Sequence, residues 1–515
     1  MSTKMLSESG AAERLSHGHM RRMGHLENYF ALLQRQELYA NFIIGCRLNR
    51  GLTPGELAGA LRAVVLANPI LAHTMVPPEG VTDLKKWYTS QEYLGKPRSE
   101  HDYMAVLERL RLEDVVLNEQ EEYRNLVEKA EVQFSLDGGE ITPALSELLS
   151  AITIPAYDPE RPNWRLLCLG NSGSGKSNTL VFISNHCCAD AMTGINLFTD
   201  IARAVNKNPG PNDQEKEDKL ILDYSQDQAN LPPLPRPITE RVDYVPSLLT
   251  FIWLLITTLF NGFVNFKTAT PLTCHVSREE PQECFQQFVR LSPEELAEVR
   301  TRVREQGCTM TAMLQAALCI TLRDHGVFQG RPLQQQSFDV TVPNDTRRLL
   351  APELAEEQYR YGANVGGLHY SYLIGSFQRE KFWDLARYYT GVLRNGDYLV
   401  GLGSLMMDMV TGSQNIDAMI ADSYLNKRRG GIILSNVGVI AEAESNNPQA
   451  LRIEDLLFAQ NLGVLNFSYA VNVVTTPAGG MALCMSAVQG SVRDRSDLDA
   501  IAAELKQLVL SQAQA

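Results

Sequence analysis

Trp164-Arg165-Leu166-Leu167-Cys168-Leu169-Gly170-Asn171-Ser172-Gly173-Ser174-Gly175-Lys176-Ser177 runs on through Thr179-Leu180-Val181-Phe182-Ile183-Ser184 to Asn185-His186-Cys187-Cys188-Ala189-Asp190. Two motifs compete within this span. Gly170 to Ser177 satisfies G-x-x-x-x-G-K-[ST], the pattern of a phosphate-binding loop. His186 and Asp190 set an imidazole and a carboxylate four residues apart, ten residues beyond Lys176.

A phosphate-binding loop needs a strand before it and a helix after it, because the helix N-terminus supplies aligned N–H groups for the phosphates. Trp164 to Leu169 suits the strand. Thr179 to Ser184 is β-branched and aromatic and has no helical stripe, so it reads as a second strand. The Gly/Ser stretch between them is then a long hairpin connection, and Lys176 is an exposed loop cation. No clear apolar strand ending in a magnesium-binding aspartate follows at a convincing position. A nucleotide-dependent enzyme built on Lys176 is the rival, less favoured reading, which a nucleotide-binding titration would expose.

His186 comes at the exit of the second strand. Met192, Ile195, Leu197, Phe198 and Ile201 then fit an amphipathic helix from Met192 to Ala204. An imidazole with an ordinary pKa of ~6.5 can take a proton from an alcohol and return one to a leaving thiolate near neutral pH. Asp190 reads as structural support, a buried carboxylate holding the loop by pairing with an arginine. A hydrogen-bonded core histidine is the alternative for His186. Cys187 and Cys188 read as small packing residues, since neighbours at a strand exit point apart and no second His/Cys cluster completes a metal site.

With 515 residues the chain has room for two to four domains. A net charge of −13 argues against nucleic-acid binding, which needs a basic stripe to offset phosphate repulsion. Short clusters such as Lys427-Arg428-Arg429 read as solvated surface or as a contact for coenzyme phosphates. Nine cysteines without C-x-x-C pairs form neither a disulfide framework nor a zinc signature, as expected of reduced cytoplasmic thiols. The first twenty residues have no apolar core, so no signal peptide is expected. Tyr244 to Phe266 contains no charged residue. A bilayer span needs ~20 apolar residues, but Pro246, Asn261, Gly262 and Asn265 confine the strongly apolar part to Leu248–Phe260. An interdomain helix, a peripheral membrane contact and a span are its three readings.

The chain divides into similar halves, 1–205 and 271–515, joined by a crossover over 206–270 that carries the apolar segment. Thr53-Pro54-Gly55-Glu56 is a capping box opening a helix, and Ser292-Pro293-Glu294-Glu295 repeats the device. Thr309 to Leu322 reads as an apolar-striped helix, Phe338 to Val342 and Leu465 to Val471 as strands, and Leu498 to Leu508 as a closing amphipathic helix. Gly431 to Leu434 reads as a strand with Ser435 and Asn436 just beyond it. The expected architecture is α/β, two domains each built as a mixed sheet covered by helices.

Arg21-Arg22-Met23-Gly24-His25-Leu26-Glu27-Asn28-Tyr29-Phe30, Tyr39 to Ile44 and Leu66-Ala67-Asn68-Pro69-Ile70-Leu71 resemble the opening of fungal alcohol acetyltransferases, within the chloramphenicol-acetyltransferase-like, coenzyme-A-dependent acyltransferases. Asn185 to Asp190, Thr341 to Arg347, Tyr361-Gly362-Ala363-Asn364 and Leu434-Ser435-Asn436-Val437-Gly438 continue the resemblance in the family's order. One departure is Ala191, where the superfamily motif usually has glycine. The resemblance implies transfer of an acyl group, most simply acetyl, from an acyl-coenzyme A co-substrate to a small-molecule alcohol, with no bound cofactor or metal. It implies His186 as general base in a tunnel between two domains, Arg347 as partner of Asp190, and Ser435 or Asn436 as the polar contact for the oxyanion. An amine acceptor, a carrier-protein donor or a cyclising, repurposed fold are its alternatives. A monomer is expected, cytoplasmic or peripheral at the endoplasmic reticulum or lipid droplets.

Overall fold

The computed structural model describes residues 8–35, 38, 41–76, 103–155, 157–170, 175–207, 219–242, 248, 249, 252, 256, 283–327, 337–373, 378–396, 431–440, 447, 449–462 and 467–514. Its strands are β1 (Met20–Arg22), β2 (Phe42–Leu52), β3 (His73–Val76), β4 (Tyr103–Val106), β5 (Arg109–Arg111), β6 (Trp164–Leu169), β7 (Ser177–Ser184), β8 (Leu220–Asp223), β9 (Cys284–Leu291), β10 (Ser337–Asp345), β11 (Val365–Leu373), β12 (Ile432–Val439), β13 (Ile453–Gln460), β14 (Tyr469–Thr476) and β15 (Gly480–Val488).

Two sheets organise the molecule. The first has the order β13-β2-β7-β6 and the second β11-β10-β12-β14-β15-β9. In the second, β12 runs parallel to β10 and β14 while the other pairs are antiparallel. The two-domain α/β architecture is therefore the one expected, with one refinement: the first sheet is antiparallel throughout, not mixed. β6 and β7 pair from Trp164↔Ser184 to Leu169↔Thr179, so the Gly170–Lys176 segment closes a hairpin and no helix follows it. Asn171 to Ser174 lie outside the described residues.

The sequence halves are not the packed halves. β13, from the C-terminal half, completes the first sheet against β2 and packs across β14 and β15. Its hydrophobic run Leu456–Ala459 is buried, and its edge pairing removes an open strand edge from the first domain. The crossover also holds a strand, β8, paired with β5. Within the apolar stretch only Leu248, Leu249, Ile252 and Ile256 are described, helical and exposed. Lys427-Arg428-Arg429 lie outside the described residues.

Both capping boxes form, Thr53 with Glu56 and Ser292 with Glu295, and start the helices Pro54–Ala67 and Pro293–Glu305. Met310–Asp324 is buried on every side from Ala312 to Leu322, the central helix of the second domain rather than a striped surface one. Ala191–Lys207 lays its apolar face on the first sheet. At Gly194 in that helix a Cβ would come within 2.8 Å of Ile44 and Phe182, so the absent side chain sets how closely the helix approaches β2 and β7. That helix begins directly after Asp190, and its seat on the sheet fixes the turn before it.

Candidate active site

β7 ends at Ser184, and the chain turns sharply through Asn185 to Ala189. The Asn185 carboxamide oxygen accepts the Cys187 N–H at 2.9 Å, which shapes this turn. The His186 Nδ1 then lies 3.0 Å from the Ala189 carbonyl. A carbonyl only accepts, so Nδ1 carries the proton and the basic lone pair of the neutral ring falls on Nε2. The ring stacks on Phe42 with centroids 4.7 Å apart and tilts against Phe30 at 4.9 Å. Burial among these rings pushes the imidazole below its ordinary value of 6.5, opposed by the Ala189 carbonyl and the Asp190 charge. A base kept neutral and aimed by a fixed Nδ1–H can accept a proton at physiological pH.

Asp190 is 2 % exposed and faces away from that chemistry. Both its oxygens are occupied: Arg347 donates from two nitrogens at 2.8 and 3.1 Å, Thr193 from its amide at 2.8 Å and its hydroxyl at 3.0 Å, and Asn364 from its amide at 3.0 Å. Arg347 and these donors hold the carboxyl below its ordinary value despite burial. Arg347 in turn reaches Asp345 at 3.1 Å, the Tyr359 carbonyl and the Gly362 carbonyl at 3.3 Å. Gly362, at φ +111°, bends the Tyr361–Asn364 segment around the pair. A second clasp lies further along the same helix, where Arg360 grips Asp200 at 2.6 and 2.8 Å and the Tyr361 hydroxyl donates to it at 2.6 Å. The motif helix of the first domain is thus locked to a loop of the second. Ala191 is buried in the first core, its methyl part of the packing.

Cys187 and Cys188 are buried, and burial raises the Cys188 thiol far above its ordinary value, leaving it protonated and poor as nucleophile or ligand. Among the described residues no cluster of His, Cys, Asp and Glu could hold a metal.

Ser435 and Asn436 separate. Both lie within β12, which continues to Val439 with an irregularity after Asn436, rather than in a turn beyond Leu434. Successive strand residues face opposite ways. Asn436 donates to Thr311 at 3.1 Å in the second domain's central helix and accepts from Gly438 at 2.9 Å. Ser435 lies on the opposite face, with Ile433, which packs on Cys284, Ala470 and Val488, and Val437, which packs against the first core. Asn436 thus spends one amide N–H and its oxygen on holding the second domain together. Thr193, Asn364 and the two rings beside His186 are the members of the site that spacing alone did not reveal. The Tyr361–Asn364 stretch was visible as a motif, but not as the clasp that it forms.

Residues 22–509 match the model of the alcohol acetyltransferase family. Two Saccharomyces cerevisiae proteins are similar over nearly their whole length. Alcohol O-acetyltransferase 2 is 37% identical over 94% of this chain and 94% of its own, and alcohol O-acetyltransferase 1 is 32% identical over 97% and 96%. Among solved structures, a trichothecene 15-O-acetyltransferase from Fusarium sporotrichioides superposes with a TM-score of 0.63 at 14% identity, covering 96% of this chain and 95% of that one, a likeness of fold.

Proposed function

Because the chain belongs to the alcohol acetyltransferase family, an enzyme class that moves acyl groups from acyl-coenzyme A to alcohols, we propose that it transfers acetyl from acetyl-coenzyme A with His186 as general base. The observation that carries the assignment is the Nδ1–H bond to the Ala189 carbonyl, which leaves Nε2 as the proton acceptor. In the step proposed, Nε2 takes the hydroxyl proton as the alcohol oxygen bonds to the thioester carbon, and the C=O π pair moves onto the carbonyl oxygen. When that pair re-forms C=O, the C–S bond breaks and the departing thiolate takes the proton from Nε2. The products are the ester and free coenzyme A thiol. Asp190 and Arg347 hold the turn and do not touch the reacting atoms.

Thiol release from acetyl-coenzyme A, measured against a panel of alcohols and amines, tests this reading. Release with alcohols that disappears in His186→Ala is the expected result, and turnover with amines alone would overturn the choice of acceptor. We further propose that the protein is a cytoplasmic monomer touching the endoplasmic reticulum or lipid-droplet surface through 244–266. Exposed Leu248, Leu249, Ile252 and Ile256 support the contact, and no described helix is long and apolar enough to cross a membrane. Flotation with phospholipid vesicles, lost when these four residues become serine, checks it.

A further inference from the structure

The face of the second sheet turned toward the first domain carries a short polar row among apolar neighbours. Its strands place Ser435, Asn472 and Cys484 side by side, and Ala470, Ser486 and Gln286 one step along. The second step is satisfied. Gln286 donates to Ser150 at 3.1 Å and to the Gln460 carbonyl at 3.4 Å and accepts from Ser146, while Ser486 donates to the Gln460 carbonyl at 2.9 Å.

Asn472 is different. It is 0 % exposed, and neither its carboxamide oxygen nor its nitrogen has a hydrogen-bond partner among the described residues. The buried asparagines of the first domain, Asn28, Asn41, Asn163 and Asn185, each keep at least one end of the amide bonded. Among the described residues Asn472 is the one buried side-chain amide with both ends idle. Leaving such a group unpaired costs the fold stability, and a buried unpaired polar atom in a native core calls for a reason.

Its position supplies one. β14 packs against β13, whose Phe458 touches Phe42, the ring stacked on His186. Gln460, the acceptor for Ser486, is the register partner of Phe42. The idle amide therefore lies on the sheet face that packs on β13 toward the first core, beside half-buried Ser435 and linked to the imidazole through Phe458 and Phe42. Asn436, the other expected oxyanion contact, is already used by the fold.

We infer that Asn472 is a catalytic residue of the acyl transfer, its Nδ2–H donating to the thioester carbonyl oxygen as that oxygen gains the π pair, with the Ser435 hydroxyl as second donor. This rests on the acyl-transfer reading. A preorganised amide donor of this kind is typically worth about 10²–10³ in kcat. It acts on charge present only in the transition state, so KM is left alone.

The test is Asn472→Leu, close in volume and unable to donate, with Asn472→Val deciding if the leucine variant does not fold. Expected are a kcat loss of about 10²–10³, an unchanged KM, and a melting temperature equal to or above wild type, because an unpaired buried amide has been removed. A loss under about tenfold, well short of that range, a raised KM with kcat kept, or a lower melting temperature accompanying the loss each overturns the assignment. Wild type and His186→Ala run alongside. If wild type releases thiol, His186→Ala does not and Asn472→Leu is unimpaired, the inference alone fails. If wild type releases no thiol with any alcohol, the acyl-transfer reading fails and takes the inference with it.

Discussion

The two ends of β7 each carry a recognisable motif, and they are surrounded very differently. At the Ser184 end, side chains from four separate regions converge. Phe30 and Phe42 flank the imidazole, Thr193 opens the next helix onto Asp190, and Arg347 and Asn364 arrive from the other domain. At the Ser177 end the chain folds back on itself. A Cβ on Gly170 would sit 2.2 Å from the Lys176 carbonyl oxygen, so the glycine is there to let the hairpin close. Antiparallel pairing directs the following amides sideways into β6 and β2 instead of forward toward an anion. Chemistry at a motif depends on what the rest of the chain brings to it.

Removing the imidazole gives the widest expected separation between the ends. His186→Ala should lower kcat by about 10²–10⁴, the usual worth of a positioned base, while the melting temperature moves little because the ring is only half-buried. Retention of more than roughly a tenth of wild-type turnover, outside that range, would mean that His186 is a packing residue after all.

Asp190 should respond in the opposite way, through stability. Asp190→Ala strands the Arg347 guanidinium, 9 % exposed, without its main counter-charge, and breaking such a buried pair costs roughly 3–5 kcal/mol. Thermal or urea unfolding should show this loss, with activity falling alongside. The pH dependence has a definite sign. The Asp190 carboxyl is held below its ordinary value, so the pair's contribution is present above the unfolded carboxyl pKa and is lost as pH falls through the folded one. A fully stable but inactive Asp190→Ala protein would put the carboxylate into the chemistry and reverse the division of labour within the motif.

The hairpin and the strand-exit histidine were legible in the sequence because each depends on local rules, β-branched alternation on both sides of a Gly/Ser stretch and a helix opening after Asp190. Arg347 was legible through the family's pattern alone, since 157 residues separate it from Asp190. What escaped was non-local. β13 crosses into the first sheet, and nothing in its own residues Ile453–Gln460 records which sheet will accept it. The fate of Asn436 depended on where β12 ended: the strand runs on to Val439 rather than stopping at Leu434, and its alternation turns Asn436 toward the central helix. Asn472 lay inside an apolar run and carried no motif at all.

A smaller effect sharpens the role of burial at the Ser184 end. Desolvation lowers the His186 pKa, and the neutral ring is the active form. The acid limb of kcat/KM should therefore fall below 6.5, the ordinary imidazole value. Asp190→Asn removes a charge that favours the imidazolium, so it should move the limb lower still, by a small amount because Arg347 already neutralises that charge. A pH–rate profile with its limb above 6.5 would show Asp190 outweighing burial.

The smallest effect belongs to the Ser177 end. Lys176 is exposed in a hairpin connection, and exposed loops of this kind tolerate substitution and shortening. Lys176→Ala, and replacement of Ser172 to Lys176 by a shorter Gly/Ser turn, should leave thiol release near the wild-type rate. Calorimetric titration of wild type with ATP and magnesium should give no heat of binding. A true phosphate-binding loop behaves otherwise: it holds phosphates with successive loop amides and a lysine, so shortening it removes cradle and cation together. Micromolar ATP affinity that vanishes in Lys176→Ala would therefore erase the contrast between the two ends of β7, because the hairpin would then bind phosphate without the helix that such loops use elsewhere.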